Sequence, residues 1–257
     1  MLIANPRDFA GLVKELSKYP FTFFAGVNTL FNALLNAPGF DRLDFSALKV
    51  SLGGGMAVQR AVAERWKQVT GNTLTQAWGL TETSPAACIN LLDAPDFNGS
   101  IGLPIPSTVI TIRDDDGNEL PVRASGEICV EGPQVMRGYW NRPDETEKVM
   151  IDGRVLRTGD IGYMDEDGYV FIEDRKKDMI LVSGFNVYPN EVEDVIGNMP
   201  GVLECAAVGV PDEKAGEAVK LVIVKKDAAV TEADVRKYAE AHLTGYKRPK
   251  VVEFRTE

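Results

Sequence analysis

Between residues 21 and 69 short apolar runs alternate with helical patterns, and this alternation limits the possible folds more than any other feature of the chain. Residues 21–25 precede a helical pattern over 28–35, and residues 48–52 precede another over 58–69. Strand-length runs followed at once by helix-period segments predict βα units on a mainly parallel sheet. Upstream, Asn5 and Pro6 read as an N-cap and a first helical position, with Phe9, Leu12, Val13 and Leu16 on one face.

Beyond about residue 100 the texture changes. Residues 109–113, the turn Asp114-Asp115-Asp116-Gly117-Asn118, and residues 127–131 and 169–173 read as short strands joined by tight turns, an antiparallel β region. A third region follows RKKDM (175–179). It has a helix over 189–198, strands over 206–210 and 219–225, and a helix from Thr231, where Thr231 and Asp234 form a capping box with Asp at the usual Glu/Gln position. The fold class expected is α/β followed by α+β.

Composition then excludes several functions. The formal charge of -10 repels phosphate backbones, so non-specific nucleic-acid binding is not expected. Cys88, Cys129 and Cys205 are odd in number and widely spaced, a pattern of reduced cytosolic thiols rather than of a disulfide framework. His242 is the only histidine, which argues against histidine-based triads and zinc sites. No run approaches the length of a bilayer span, and the first residues lack the basic flank and cleavage site of a signal peptide.

Five stretches carry chemistry-bearing residues. SLGGGM (51–56) sets three glycines between a strand and a helix, where backbone can approach a ligand; its spacing matches neither GxGxxG nor a Walker loop, and alone it reads as a turn. In WGLTE (78–82) Trp78 offers a flat face, Gly79 a close backbone, Thr81 a donor and Glu82 an oxygen for a hard cation, or else a buried tryptophan beside a surface glutamate. RTGD (157–160) and IEDRKKD (172–178) offer an aspartate for sugar hydroxyls and the guanidinium fork of Arg175, or an ordinary turn and a solvated charged link. In LVSGFNVYPNEVE (181–193), Ser183 and Gly184 let a narrow substrate pass or simply turn the chain before Pro189.

Taken together and in this order, with GEICVEGPQVMRGYW (126–140) between the second and third, these stretches resemble the adenylate-forming superfamily, and most closely the bacterial long-chain fatty acyl-CoA synthetases. The resemblance runs the length of the chain. It implies the C-terminal part of a large AMP-binding domain over residues 1–175 and a truncated small C-terminal lid domain over 176–257. The implied activity is fatty-acid activation by ATP with magnesium to an acyl-adenylate, then thioester formation with CoA. By resemblance Trp78 stacks on adenine, Gly79 lies beside it, and Gly53, Gly54 and Gly55 line the adenine and acyl pocket. Thr81 touches the α-phosphate and Glu82 binds the metal. Asp160 and Arg175 hold the ribose with Ile172 nearby, and Lys177 is the hinge. Ser183 and Gly184 enter the CoA tunnel, while Phe24, Val27, Leu30 and Phe31 wall the acyl pocket.

The chain also departs from the pattern. Trp78 replaces the usual tyrosine, so any role of a phenol there is lost. No Ser/Thr/Gly-rich phosphate loop occurs between Met1 and Leu52, and Lys247 and Lys250 precede the position of the family's catalytic lysine. The resemblance therefore implies an internal piece of the enzyme, not expected to catalyse adenylation alone. Its apolar surface would be covered by dimerisation or another fragment, and the whole enzyme is expected in the cytoplasm or peripheral to the inner membrane. Two alternatives stay open: a fatty acyl-AMP ligase, and a non-catalytic nucleotide- or lipid-binding module.

Overall fold

The computed structural model describes residues 7–256. They form two compact units, one of residues 7–124, Cys129–Thr158 and Met164–Phe171, the other of Ser125–Ile128, Gly159–Tyr163 and residues 172–256. The expected Asn5 cap and Pro6 lie outside the described residues. Helix α1 (Phe9–Leu16) is capped instead by Asp8, whose carboxylate accepts the Gly11 N–H at 2.8 Å. That satisfies one of the donors a helix start leaves orphaned.

The first unit continues through β1 (Phe23–Gly26), α2 (Asn28–Asn36), β2 (Val50–Gly53), α3 (Arg60–Thr70), β3 (Leu74–Gly79), β4 (Ala86–Ile89) and β5 (Leu103–Pro104). Sheet order is β1-β2-β3-β4-β5. The expected parallel pairing holds for β1, β2 and β3, but β4 and β5 are antiparallel. The reason is the short link after β3, too short for the helical crossover a parallel strand needs. Under the parallel part, Trp66 of α3 and Phe31 of α2 are fully buried, with ring centroids 4.7 Å apart, and Phe40 closes on Trp66 at 5.3 Å. The one polar atom of Trp66 is matched, because its indole N–H donates to the buried Ser51 hydroxyl at 2.9 Å. Burying each such ring contributes about 1.5–3 kcal/mol.

A second sheet contains β6 (Val109–Arg113), β7 (Gly126–Glu131), β8 (Met150–Ile151), β9 (Val155–Met164) and β10 (Val170–Arg175), with α4 (Pro143–Val149) between β7 and β8. The order is β10-β9-β7-β6, and β8 pairs with β9. Sequence patterning finds β6 at its observed bounds but puts Gly159-Asp160 in a turn or at a strand's end. They lie inside the ten-residue β9, where Gly159 adopts φ +74°. A glycine inside a strand lets the backbone bend without a Cβ penalty, which made the segment look like a turn.

The second unit contains β11 (Ile180–Val182), β12 (Phe185–Val187), α5 (Pro189–Gly197), β13 (Val202–Asp212), β14 (Gly216–Lys225), α6 (Glu232–His242) and β15 (Val251–Arg255). Its sheet runs β12-β11-β14-β13, and β15 joins β14 in parallel. β13 exceeds the expected 206–210 at both ends and β14 exceeds 219–225 at its start, because the two pair along their length from Val202↔Lys225 to Asp212↔Gly216. Val192 and Ile196 of α5, Val235 and Ala239 of α6, and Leu221 and Ile223 of β14 share one buried core. The capping box at α6 forms as expected: Thr231 N–H meets Asp234 Oδ2 at 2.9 Å, and Asp234 N–H meets Thr231 Oγ1 at 3.3 Å.

All three cysteines are reduced, outside any disulfide. Burial pushes the Cys88 and Cys205 thiols up to about 12, so neither forms a thiolate readily. No helix among the described residues is long and apolar enough to cross a membrane.

Candidate active site

The WGLTE stretch is split by the structure. Trp78 and Gly79 end β3, and Thr81–Thr83 form a turn of 3-10 helix. The turn is held from within by Thr83, fully buried, whose hydroxyl accepts the Leu80 N–H at 2.8 Å and donates to the Pro85 carbonyl at 2.7 Å. Gly79 is needed for that return of the chain: a Cβ there would lie 1.8 Å from the Pro85 carbonyl oxygen. Its closeness is therefore to the protein's own backbone. Thr81 is exposed. Glu82 is fixed on both sides, since its carbonyl accepts the Met136 N–H at 2.8 Å and its Oε1 accepts the Tyr139 hydroxyl at 2.8 Å. Burial and then the bond to Glu82 raise the pKa of the Tyr139 phenol.

Sequence reasoning passed over one residue on this strand. Gln76 is 7% exposed, and its Oε1 is buried with no hydrogen-bond partner. A buried amide acceptor left unmatched costs about 1–3 kcal/mol, and such exceptions mark places where a ligand or water completes the structure. Gln76 and Trp78 stand two positions apart in β3 and so share one face of it. Gln76 lies opposite Gly53 in the pairing of β2 with β3. A glutamine between Thr75 and Ala77 in a strand gives no signal in sequence that its amide is unmatched.

The glycines divide by role. Gly53 ends β2 and packs so closely that a Cβ would meet Val58 Cγ2 at 2.7 Å, and a Cβ on Gly54 would lie 3.1 Å from the Ala77 carbonyl oxygen. Gly55 takes φ +79°, as a turn into α3 requires. Of the four residues assigned to an acyl pocket, Phe31 is fully buried in the aromatic core and Phe24 packs beside it, their centroids 5.9 Å apart. Leu30 is half-buried against the same core, and Val27 is exposed.

In the second unit β9 and β10 bring Asp160 and Arg175 together, Nε to Oδ1 at 3.5 Å. Asp160 is buried and Arg175 is exposed at the end of β10, so the fork is presented outward from a fixed acid. Beside them the buried Glu127 accepts the Gly159 N–H at 3.0 Å and lies 3.7 Å from Lys176. Ile172 is half-buried in β10. Lys177 lies in the turn after it, on the wall of a cavity of about 380 Å³ together with Asp174, Asp178, Asn190, Glu193 and Glu217. Ser183 and Gly184 form the two-residue turn between β11 and β12, both left-handed, at φ +52° and +83°.

A profile of the AMP-binding enzyme family matches residues 1–140, and that of the AMP-binding enzyme C-terminal domain matches residues 191–257. The chain belongs to the AMP-binding enzymes. Among curated AMP-binding enzymes, it is 59% identical over 257 residues to a long-chain-fatty-acid–CoA ligase of Escherichia coli O6:H1, covering all of this chain and 46% of the relative. The ATP-bound crystal structure of MatB from Rhodopseudomonas palustris superposes with a TM-score of 0.88 at 34% identity, over 97% of this chain and 50% of that one. The anthranilate CoA ligase AuaEII in complex with anthranoyl-AMP superposes at 0.91 with 28% identity, over 100% and 50%. The chain thus spans about half the length of the curated relatives it matches.

Proposed function

We propose that this chain is part of a long-chain-fatty-acid–CoA ligase, which joins ATP and a fatty acid to an acyl-adenylate and pyrophosphate and then transfers the acyl group to the CoA thiol with release of AMP. The observation that carries the reading is on β3: the unmatched acceptor of Gln76, on the same face as the Trp78 ring, leads directly to the exposed Thr81 hydroxyl and to Glu82. An amide oxygen and a ring face suit the exocyclic amine and the plane of adenine. Thr81 can donate to an α-phosphate oxygen. Magnesium binds through one or two carboxylates plus substrate phosphates rather than in an all-protein cage, so Glu82 with one oxygen outside the Tyr139 bond fits it. When bound, the ion neutralises charge developing on the phosphate.

In the second unit, Asp160 and Arg175 are proposed for the ribose hydroxyls beside Ile172, Lys177 as the hinge, and Ser183 and Gly184 as the path of the CoA thiol arm. The two-residue turn leaves no inserted segment there, which favours CoA over a carrier protein as acceptor. Phe24, Val27, Leu30 and Phe31 are proposed for the acyl side, with the division between a nucleotide-binding part and a lid after residue 175. A cytoplasmic protein that touches the inner membrane peripherally and self-associates as a homodimer belongs to the same proposal. It is supported by exposed apolar side chains, of which Trp140 is 90% exposed.

The test is formation of AMP and oleoyl-CoA from oleate, ATP, magnesium and CoA by this chain extended to the length of its relatives, beside the chain as it stands. Product in the extended form, abolished by Glu82→Gln, is the expected result. An extended chain that binds AMP but forms no thioester with any fatty acid would sink the ligase reading.

A further inference from the structure

Helix α5 begins without a local cap. Tyr188 makes no side-chain capping bond and Pro189 has no N–H, so the Asn190 N–H is the first in the helix needing an outside acceptor. It finds Oδ2 of Asp174 at 2.9 Å, sixteen residues upstream. The other oxygen, Oδ1, accepts the backbone N–H of Arg175 at 2.7 Å. Asn190 returns a side-chain bond to the Glu173 carbonyl at 3.4 Å, and the Lys176 N–H is tied to the Gly159 carbonyl at 2.8 Å. Arg175 is therefore held by its backbone on both flanks, while its guanidinium faces Asp160.

The Asp174 carboxyl holds this position against its surroundings. Asp174 is 4% exposed, and burial raises its pKa despite the two N–H bonds, with the charges of Asp178 and Asp160 adding to the rise. Glu193 on α5 faces it and is pushed up for the same first reason, burial. Lys177 and Glu217 share the adjoining cavity wall.

We propose that Asp174 is a positioning residue: its carboxylate locks the backbone of Arg175 to the first turn of α5, so that one side chain sets both the aim of the guanidinium and the docking of the helix. The lock itself goes beyond the ligase reading; only its consequence for ligand binding rests on that reading.

The experiment is amide hydrogen exchange by NMR on the whole chain, comparing wild type with Asp174→Ala, Asp174→Asn and Asp174→Glu. In Asp174→Ala the Asn190 and Arg175 amides should lose about tenfold or more of their protection, while Val235 and Ala239 in α6 keep theirs. Asp174→Glu should restore part of the loss. In wild type the Asp174 carboxyl carbon and both amides should titrate together, with one midpoint above the ordinary aspartate value; a side chain that only fills space would leave the amides flat. Unchanged Asn190 protection in Asp174→Ala overturns the proposal. If that variant loses α6 protection too, Asp174→Asn decides: one of the two amides should be released and the other kept, and retention of both overturns it. AMP titration of the same samples is read separately. A wild-type chain that binds no AMP counts against the function proposed for Arg175 and leaves the exchange result standing.

Discussion

Tyr139 donates its hydroxyl to Oε1 of Glu82 at 2.8 Å, across 57 positions of sequence. The phenol thereby holds the acid of the 3-10 turn in one rotamer and occupies one of its two oxygens. Tyr139→Phe should lower stability by about 0.5–1.5 kcal/mol, measured by urea unfolding. Because the rise in the phenol's pKa comes first from burial and then from Glu82, Glu82→Gln should move it only part of the way back. Ultraviolet-monitored titration reads this directly, and a phenol pKa unaffected by Glu82→Gln would contradict the pairing.

Gly79 has no room for a side chain. With a Cβ placed 1.8 Å from the Pro85 carbonyl oxygen, Gly79→Ala must displace backbone on one side of the turn, at a cost of about 3 kcal/mol or more. The expected outcome is a lowered midpoint of thermal unfolding and a Tyr139 signal shifted by movement of Glu82. A variant as stable as wild type would mean the turn has slack that its geometry does not show.

Gln76→Met should separate structure from binding. Removing an unmatched buried acceptor is expected to stabilise the protein by about 1 kcal/mol, and in the same variant AMP should bind more weakly, because the acceptor for the base is gone. Calorimetric titration and urea unfolding give the two numbers. Equal loss of stability and of affinity would assign Gln76 to the core alone.

The second unit carries carboxyls that move in opposite directions. Burial raises Asp174 and Glu193, so the folded unit holds those protons more tightly than the unfolded chain; the stability they contribute is complete at acid pH and is lost as pH rises through their folded pKa values. Asp212, held down by Lys250, and Asp234, held down by Thr231, contribute stability that is lost as pH falls through their folded values. Stability should therefore pass through a maximum between these windows, on the acid side of neutral. Glu193→Gln should flatten the limb of a urea-midpoint profile that descends as pH rises above the ordinary carboxyl range, and a profile with no such descent would refute the sign.

The legible parts of this fold were those written in local pattern. The βα alternation of residues 21–70, strand β6 and the Thr231/Asp234 box are set by neighbours in sequence, and each appears where periodicity and capping chemistry place it. Strand β9 was hidden because Gly159 imitates a turn, and β4 because pairing direction depends on how far the chain travels before it returns. At the candidate site Trp78, Thr81, Glu82, Asp160 and Arg175 are singled out by the order of their stretches, which resembles the adenylate-forming superfamily, while each stretch alone reads equally as a turn or a solvated link. Gln76 and Asp174 are not, since one is marked by a missing partner and the other by a helix-start partner sixteen residues away.

The turn of Ser183 and Gly184 has a consequence for how a ligand would be received. Two consecutive left-handed residues form the type I′ turn that matches the twist of paired strands, so this loop is already shaped before anything binds. If a thiol arm passes here as proposed, a turn whose shape is set by its own backbone and strand pairing would divert little of the interaction energy to ordering. Serine tolerates that backbone less well than glycine, so Ser183 stores a small strain next to the very place where substrate is expected to pass.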